Sequence, residues 1–124
     1  MGEEQPISTA AERLDRNVCD IVTVNQWATM MGYECPKRFA RKFQRHFMVR
    51  PAAYLKYVRL KKITEDLRSS DCSNFVVARK YGVPDEIALN KYFNYHLDCS
   101  PTKIKQMKEI QLQKMMEKFG SKVR

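Results

Sequence analysis

The sequence predicts an all-α protein of about seven helices. Apolar residues recur at intervals of three and four, prolines stand where helices would begin, and no stretch alternates apolar and polar residues as a half-buried strand does. A chain of 124 residues with 44% hydrophobic and 30% charged side chains is globular, and it can build one modest domain or two very small ones.

The first helix is expected to begin near Thr9. The stretch "TAAE" fits a capping box, in which the Thr9 hydroxyl and the Glu12 carboxylate each accept a hydrogen bond from a backbone N–H group. One apolar stripe follows, formed by Ala10, Ala11, Leu14, Val18, Ile21 and Val22.

A short second helix, "VNQWATMM", is expected between a Thr23 cap and Gly32, because glycine ends a helix in the left-handed conformation without steric penalty. Pro36 suits the first position of a third helix, where its missing N–H costs nothing. That third helix carries a buried aromatic face formed by Phe39, Phe43 and Phe47.

A long helix, "PAAYLKYVRLKKITEDLRSS", is expected from Pro51, and its apolar residues shift from face to face as if two packing units shared it. After the loop "SSDCSN", helices are expected at about 74–81 and 86–97, separated by Gly82, with Asp85 capping the second.

The remaining segment, "SPTKIKQMKEIQLQKMMEKFG", is expected to form one helix from Pro101. Its apolar stripe either packs on the core, which we favour, or binds a partner; it comprises Ile104, Met107, Ile110 or Gln111, Met115 and Phe119.

The pattern of helix, glycine turn, helix and proline occurs twice, at an offset of 50 residues. The matched pairs are Ala28 and Ala78, Gly32 and Gly82, Phe39 and Leu89, Phe43 and Phe93, His46 and His96, Phe47 and Leu97, and Pro51 and Pro101. We interpret the chain as a duplicated tri-helical unit with two helix-turn-helix motifs in tandem.

Charge distinguishes the two copies. Residues 23–62 carry ten basic side chains against one acidic one, and the candidate DNA-binding residues of the first motif are Lys37, Arg38, Arg41 and Arg45. The second helix of such a motif lies in the major groove, where an arginine can bind guanine O6 and N7 together and lysine can neutralise phosphate. The alternative is that these basic residues form a solvent-exposed face with no ligand. The surrounding helix-turn-helix motif favours DNA binding.

The corresponding surface of the second motif is less basic. Its candidate DNA-binding residues are Glu86, Ile87, Asn90 and Lys91, with Ala88 between them. A carboxylate repels phosphate, Ile87 offers only apolar contact such as with a thymine methyl, and Lys91 could hold one phosphate. We therefore expect a weak or sequence-tolerant reader.

The long helix suggests how both motifs could act together. About 18 helical residues span roughly 27 Å, and successive major-groove segments on one side of a duplex lie about 34 Å apart. We therefore predict two subdomains, 1–52 and 70–124, joined by a linker helix over 53–69, and a single chain that binds an asymmetric DNA site.

These motifs resemble the DNA-binding domain of AraC/XylS-type transcription regulators. The matching stretches are "WA...MGY", "RFARKFQRHF", "RPAAYLKYVRLKKI", "VARKYGV" and "ALNKYFNYHL...SP". The resemblance implies a bacterial cytoplasmic, nucleoid-associated regulator, of the activator type, that binds double-stranded DNA, with RNA polymerase as a candidate partner and no ligand-sensing domain in these 124 residues. The sequence departs from the family pattern in three ways. Met48 and Asp98 stand where the family has glycine, and Val83 stands where it has phenylalanine. Early in the second recognition helix, the polar residues common in the family are replaced by Glu86, Ile87 and Ala88.

Other classes of function find little support. The four cysteines and two histidines are too scattered for a zinc site, so no metal or other cofactor is expected, and no arrangement typical of an enzyme is present. No apolar run is long enough to cross a membrane. The serious alternative is a partner-binding or anti-regulatory module, derived from the same motif, with weak or no specific DNA binding.

Overall fold

The structure, a computed structural model, describes residues 3–69 and 71–123 and is all-helical over those residues. A short 3-10 helix, Ile7–Thr9, precedes eight α-helices in the described chain. These are α1 Ala10–Arg16, α2 Val24–Met30, α3 Pro36–Phe47, α4 Pro51–Ser69, α5 Asn74–Lys80, α6 Glu86–Leu97, α7 Pro101–Gln106 and α8 Glu109–Val123. The predicted fold class is confirmed, with one helix more than expected.

Two compact units divide the chain within α4, one up to Val58 and the other from Arg59 to Lys122. The early part of α4 buries Leu55 in the first unit, whereas its later part buries Leu60 and Ile63 in the second. This change of buried face explains why the apolar residues of α4 follow no single stripe. The division into 1–52, 53–69 and 70–124 stays a prediction.

The first helix begins where the sequence predicts, since α1 starts at Ala10 directly after Thr9, but the predicted capping box is absent. Thr9 closes the 3-10 turn with helical backbone angles, and its hydroxyl donates to the Pro6 carbonyl at 2.7 Å instead of capping α1. The helix also ends at Arg16, so Val18 and Ile21 reach the core from the following turn, while Val22 is exposed.

Local signals elsewhere are confirmed. Thr23 accepts a hydrogen bond from Gln26 N, and the Gln26 side chain accepts from Thr23 N, which completes a capping box. Pro36 opens α3, Asp85 caps α6 by accepting from Ala88 N at 2.8 Å, and Gly32 has a φ of +83°.

The single C-terminal helix that the sequence predicts is wrong. The backbone becomes extended at Met107, which separates α7 from α8. Arg68 explains the break, because its Nη1 donates to the Ile104 carbonyl at 2.8 Å and to the Met107 carbonyl at 2.6 Å. Such a donor satisfies carbonyls that a continuous helix would otherwise use. The predicted stripe changes accordingly: Ile104, Leu112 and Phe119 are buried, and Ile110 is exposed.

Both α3 and α6 end in a left-handed residue that is not glycine. Met48, after α3, has a φ of 61°, and Asp98, after α6, has a φ of 56°. Each N–H still bonds the carbonyl four residues earlier, at 2.9 Å for Met48 and 3.1 Å for Asp98. Met48 and Asp98 therefore adopt the left-handed helix cap that usually requires glycine. Their Cβ atoms make this conformation energetically costly.

Candidate nucleic-acid interface

The turn between α2 and α3 sets the direction in which α3 leaves the first unit. Gly32 takes the positive φ, and Tyr33 N donates to the Ala28 carbonyl at 2.9 Å. Cys35 then precedes Pro36 in an extended conformation, so α3 starts at once. The turn is therefore held by backbone hydrogen bonds, and it requires a positive φ only at Gly32.

An aromatic cluster fixes which side of α3 faces inward. Trp27 is fully buried and meets the rings of Phe39 and Phe43 edge-on, with centroids 5.1 and 4.9 Å away. Its indole N–H donates to the Ala10 carbonyl at 3.1 Å, which satisfies the only polar atom of the buried ring. Phe47, predicted to be buried, is half-buried and packs against Phe43 at 4.4 Å.

The opposite side of α3 is basic and exposed. We call its four predicted DNA-binding residues the α3 basic face: Lys37, Arg38, Arg41 and Arg45. All four are exposed, although Arg38 is engaged in an ion pair with Glu4. The face therefore presents the planar donor groups and positive charge that binding to base edges and phosphates requires.

The ion pair of Arg38 has two hydrogen bonds. Arg38 Nε donates to Glu4 Oε2 at 2.9 Å and Arg38 Nη2 donates to Oε1 at 3.2 Å, while Lys42 Nζ lies 3.7 Å from Oε1. The hydrogen bond to Arg38 holds the pKa of the Glu4 carboxyl below its usual value, so the carboxylate is ionised at neutral pH. Nothing local in the sequence signals this contact, because the partners are 34 residues apart.

The second unit repeats the turn with the same backbone hydrogen bonds. Gly82 has a φ of +77°, and Val83 N donates to the Ala78 carbonyl at 2.9 Å, as Tyr33 does in the first unit. Leu89 and Phe93 are fully buried on the inner side of α6. The duplication inferred from the sequence is therefore present in the backbone.

The outer side of α6 differs from that of α3. The predicted residues of this surface are all exposed: Glu86, Ile87, Asn90 and Lys91. Ala88 is half-buried, and Ile87 is one of the most exposed large apolar residues described, with 63% of its surface accessible. The surface thus combines one acid, one base and an apolar side chain.

Two arginines that the sequence does not distinguish from surface charges serve the fold of the second unit. Arg59 is only 5% exposed, and its Nη2 donates to the Tyr81 carbonyl at 2.6 Å. Arg68 holds the α7–α8 junction and pairs with Glu109 at 3.2 Å. Both arginines donate to backbone carbonyls and Arg68 also pairs with a carboxylate, so these two positive charges serve the fold rather than a ligand.

Two other kinds of site, a metal centre and a membrane span, are absent from residues 3–69 and 71–123. No group of three or more potential metal-binding side chains occurs among them. None of the described helices combines the length and apolar character that a bilayer crossing demands.

Two helix-turn-helix motifs, the first with the outward basic helix α3, define a tandem helix-turn-helix domain of the DNA-binding class. Residues 27–107 match a protein family described as "Helix-turn-helix domain", which is the AraC-type helix-turn-helix family. The chain belongs to this family, as the resemblance in its sequence predicts.

A solved structure agrees with the assignment of the fold. The C-terminal domain of AraT, a response regulator from Geobacillus stearothermophilus, is similar with a TM-score of 0.68 and 18% sequence identity, over 87% of this chain and 93% of that chain. At that identity the likeness concerns the fold alone. The comparison with curated proteins found no match.

Proposed function

We propose that this protein is a sequence-specific DNA-binding transcription regulator that contacts two consecutive major-groove segments, with the first motif supplying most of the affinity. The observation that carries the proposal is the α3 basic face, held outward by the buried ring of Trp27 and the inward face of Phe39 and Phe43. A rigid aromatic backing lets exposed arginines meet base edges in one orientation.

Within the α3 basic face we assign Arg38 and Arg41 to base reading and Lys37 and Arg45 to phosphates. Arg38 and Lys37 stand in the first turn of α3, the part of a recognition helix that approaches base edges. Arg41 lies one turn further along the same side. Arginine is suited to guanine because two of its N–H groups can donate to O6 and N7 together.

The second motif contributes less in this proposal. Glu86 would repel phosphates, Lys91 could neutralise one, and Ile87 could contact a thymine methyl group. We expect its binding to tolerate different sequences. As a DNA-binding protein of a bacterial family, it would act in the cytoplasm at the nucleoid.

A second candidate function follows from the exposed, apolar and acidic surface of α6. Ile87 beside Glu86 is better suited to a protein partner than to a phosphate backbone, so this motif could serve as an interaction module. RNA polymerase is one such partner for a regulator of transcription. In this alternative, Ile87→Ala is expected to weaken partner binding more than Arg41→Ala does.

The test starts with selection of bound duplexes from a random pool, followed by affinity measurements on the selected site. Arg41→Ala is expected to weaken binding about 5- to 150-fold, the equivalent of roughly 1–3 kcal/mol for a bidentate base contact. Arg16→Ala removes the same charge from exposed α1 and serves as the matched control, with a change below about twofold. Ile87→Ala is expected to have a small effect.

Salt dependence supplies an independent readout. The logarithm of affinity should fall by about 0.9 per logarithm of salt for each phosphate neutralised, and Lys37→Ala should lower that slope by about one contact. A duplex affinity that does not depend on salt and that Arg41→Ala retains in full would refute the role of the α3 basic face. Failure to bind any duplex would refute DNA binding and leave the interaction module as the better proposal.

A further inference from the structure

The segment ahead of the first helices lies against the turn that precedes α3. Gln5 N donates to the Met31 carbonyl at 2.8 Å. Gly32 leaves no room beside it, since a Cβ at that position would lie 2.3 Å from the Glu3 carbonyl oxygen and 3.2 Å from the Glu4 Cα. Two backbone contacts thus fix the position of Glu4 relative to α3.

The carboxylate of Glu4 accepts hydrogen bonds from one edge of the Arg38 guanidinium and does not contact the terminal edge. The guanidinium has five N–H donors in a fixed plane, and the pair with Glu4 uses Nε and Nη2. Within the described residues no side-chain hydrogen bond of Arg38 involves Nη1, and 52% of the side chain is exposed. The terminal edge, formed by Nη1 and the second N–H of Nη2, remains able to donate to two acceptors.

Stability does not explain this arrangement well. An exposed ion pair contributes little to folding, because solvent screens it and two long side chains lose freedom. The same loss of freedom is useful for recognition, since a side chain that is already ordered loses less entropy when it binds a base. The backbone beside Glu4 is held against the turn before α3, so its carboxylate starts from a fixed point on the chain within reach of Arg38.

We propose that Glu4 is a positioning residue for base reading: it holds the Nε edge of Arg38 so that the terminal edge of the guanidinium faces a guanine in the major groove. This inference rests on the proposed function and adds a specificity-determining residue from outside both helix-turn-helix motifs.

The charge of Glu4 has a second consequence. A carboxylate beside α3 repels phosphates and partly offsets Arg38 and Lys42, so it lowers affinity for every duplex regardless of sequence. Positioning raises affinity only for a site with guanine at the right place. Both effects increase the ratio of specific to non-specific affinity, so removing the charge is expected to lower that ratio.

The experiment measures Glu4→Gln, Arg38→Ala, the double variant and the wild-type protein on three duplexes. These are the site selected from a random pool, the same site with 7-deazaguanine at the guanine whose preference Arg38→Ala abolishes, and an unrelated sequence. Glu3→Gln is the matched control, because it removes the same charge one residue away from the contact.

Glu4→Gln is expected to bind the unrelated duplex more tightly and to lose about two- to tenfold of its preference for guanine over 7-deazaguanine. In the Arg38→Ala background the same change should leave that preference unaltered, because the residue it positions is gone. Glu3→Gln should raise non-specific affinity without reducing the preference.

Other results overturn the inference. If Glu4→Gln keeps the preference for guanine, or tightens binding to the selected site at least as much as to the unrelated duplex, Glu4 shields or masks α3 and does not position Arg38. Wild-type protein that binds no duplex overturns the proposed function and this inference together. Wild-type binding with a guanine preference that needs Arg38 but not Glu4 overturns the inference alone.

Discussion

Replacing Met48 by glycine is expected to stabilise the protein. Met48 follows α3 with a φ of 61° and a ψ of 26°, a left-handed conformation in which the Cβ of an L residue crowds its own backbone. Burial of the Met48 side chain contributes almost nothing to stability, since 82% of its surface is accessible. The substitution therefore removes a conformational cost and almost no packing.

The magnitude follows from two opposing terms. The left-handed conformation costs a residue with a Cβ roughly 1–2 kcal/mol, and glycine loses about 0.5–1 kcal/mol more than alanine through its greater freedom in the unfolded chain. The difference between the two terms spans roughly 0–1.5 kcal/mol, and its middle corresponds to a gain of about 0.5–1 kcal/mol for Met48→Gly. For a chain of 124 residues this corresponds to an increase in Tm of about 2–6 °C.

Urea denaturation followed by circular dichroism measures the effect, and two variants separate its causes. Met48→Ala truncates the exposed side chain but keeps the Cβ, so its stability should stay close to that of the wild type. Asp98→Gly, at the equivalent position after α6, should gain less because aspartate tolerates the left-handed conformation. A Met48→Gly variant no more stable than Met48→Ala would refute the reasoning.

Two further predictions concern groups inside and beside the units. Arg59→Met should destabilise the second unit by about 1–3 kcal/mol in urea, because the Tyr81 carbonyl loses a buried donor, whereas exposed Lys61→Met should change little; equal effects would contradict this role. For the cysteines, the backbone N–H groups of Arg38 and then Lys37, at the start of α3, lower the pKa of the Cys35 thiol, and burial raises the pKa of the Cys99 thiol. A lower pKa means more thiolate at neutral pH, so iodoacetamide should label Cys35 well before Cys99 when the peptides are followed by mass spectrometry, and simultaneous labelling would count against it.

Sequence reasoning succeeded where a structural feature depends on a few neighbouring residues. Pro36, Asp85 and the left-handed turn at Gly32 act within one turn of their own positions, so these roles can be inferred from residue type alone. The same holds for the α3 basic face, because helical spacing separates it from Phe39 and Phe43 without any knowledge of tertiary contacts.

The failures involve partners that are distant along the chain or compete locally. Thr9 has the right residue type for a cap, but its hydroxyl bonds the Pro6 carbonyl in a turn that the sequence does not announce. The helix break at Met107 depends on Arg68, 39 residues earlier, and the hydrogen bonds of Glu4 to Arg38 span 34 residues. No periodicity or spacing rule reports such contacts.

The matching turns of the two units bear on how such a duplicated chain can evolve. Tyr33 and Val83 donate to equivalent alanine carbonyls at the same distance of 2.9 Å, yet the outer surfaces of α3 and α6 share almost no chemistry. Since the hydrogen bonds of the turn involve only main-chain atoms, selection can rewrite the outward side chains of one copy while the other preserves the ancestral role. Such a chain can acquire a new ligand before it gives up the old one.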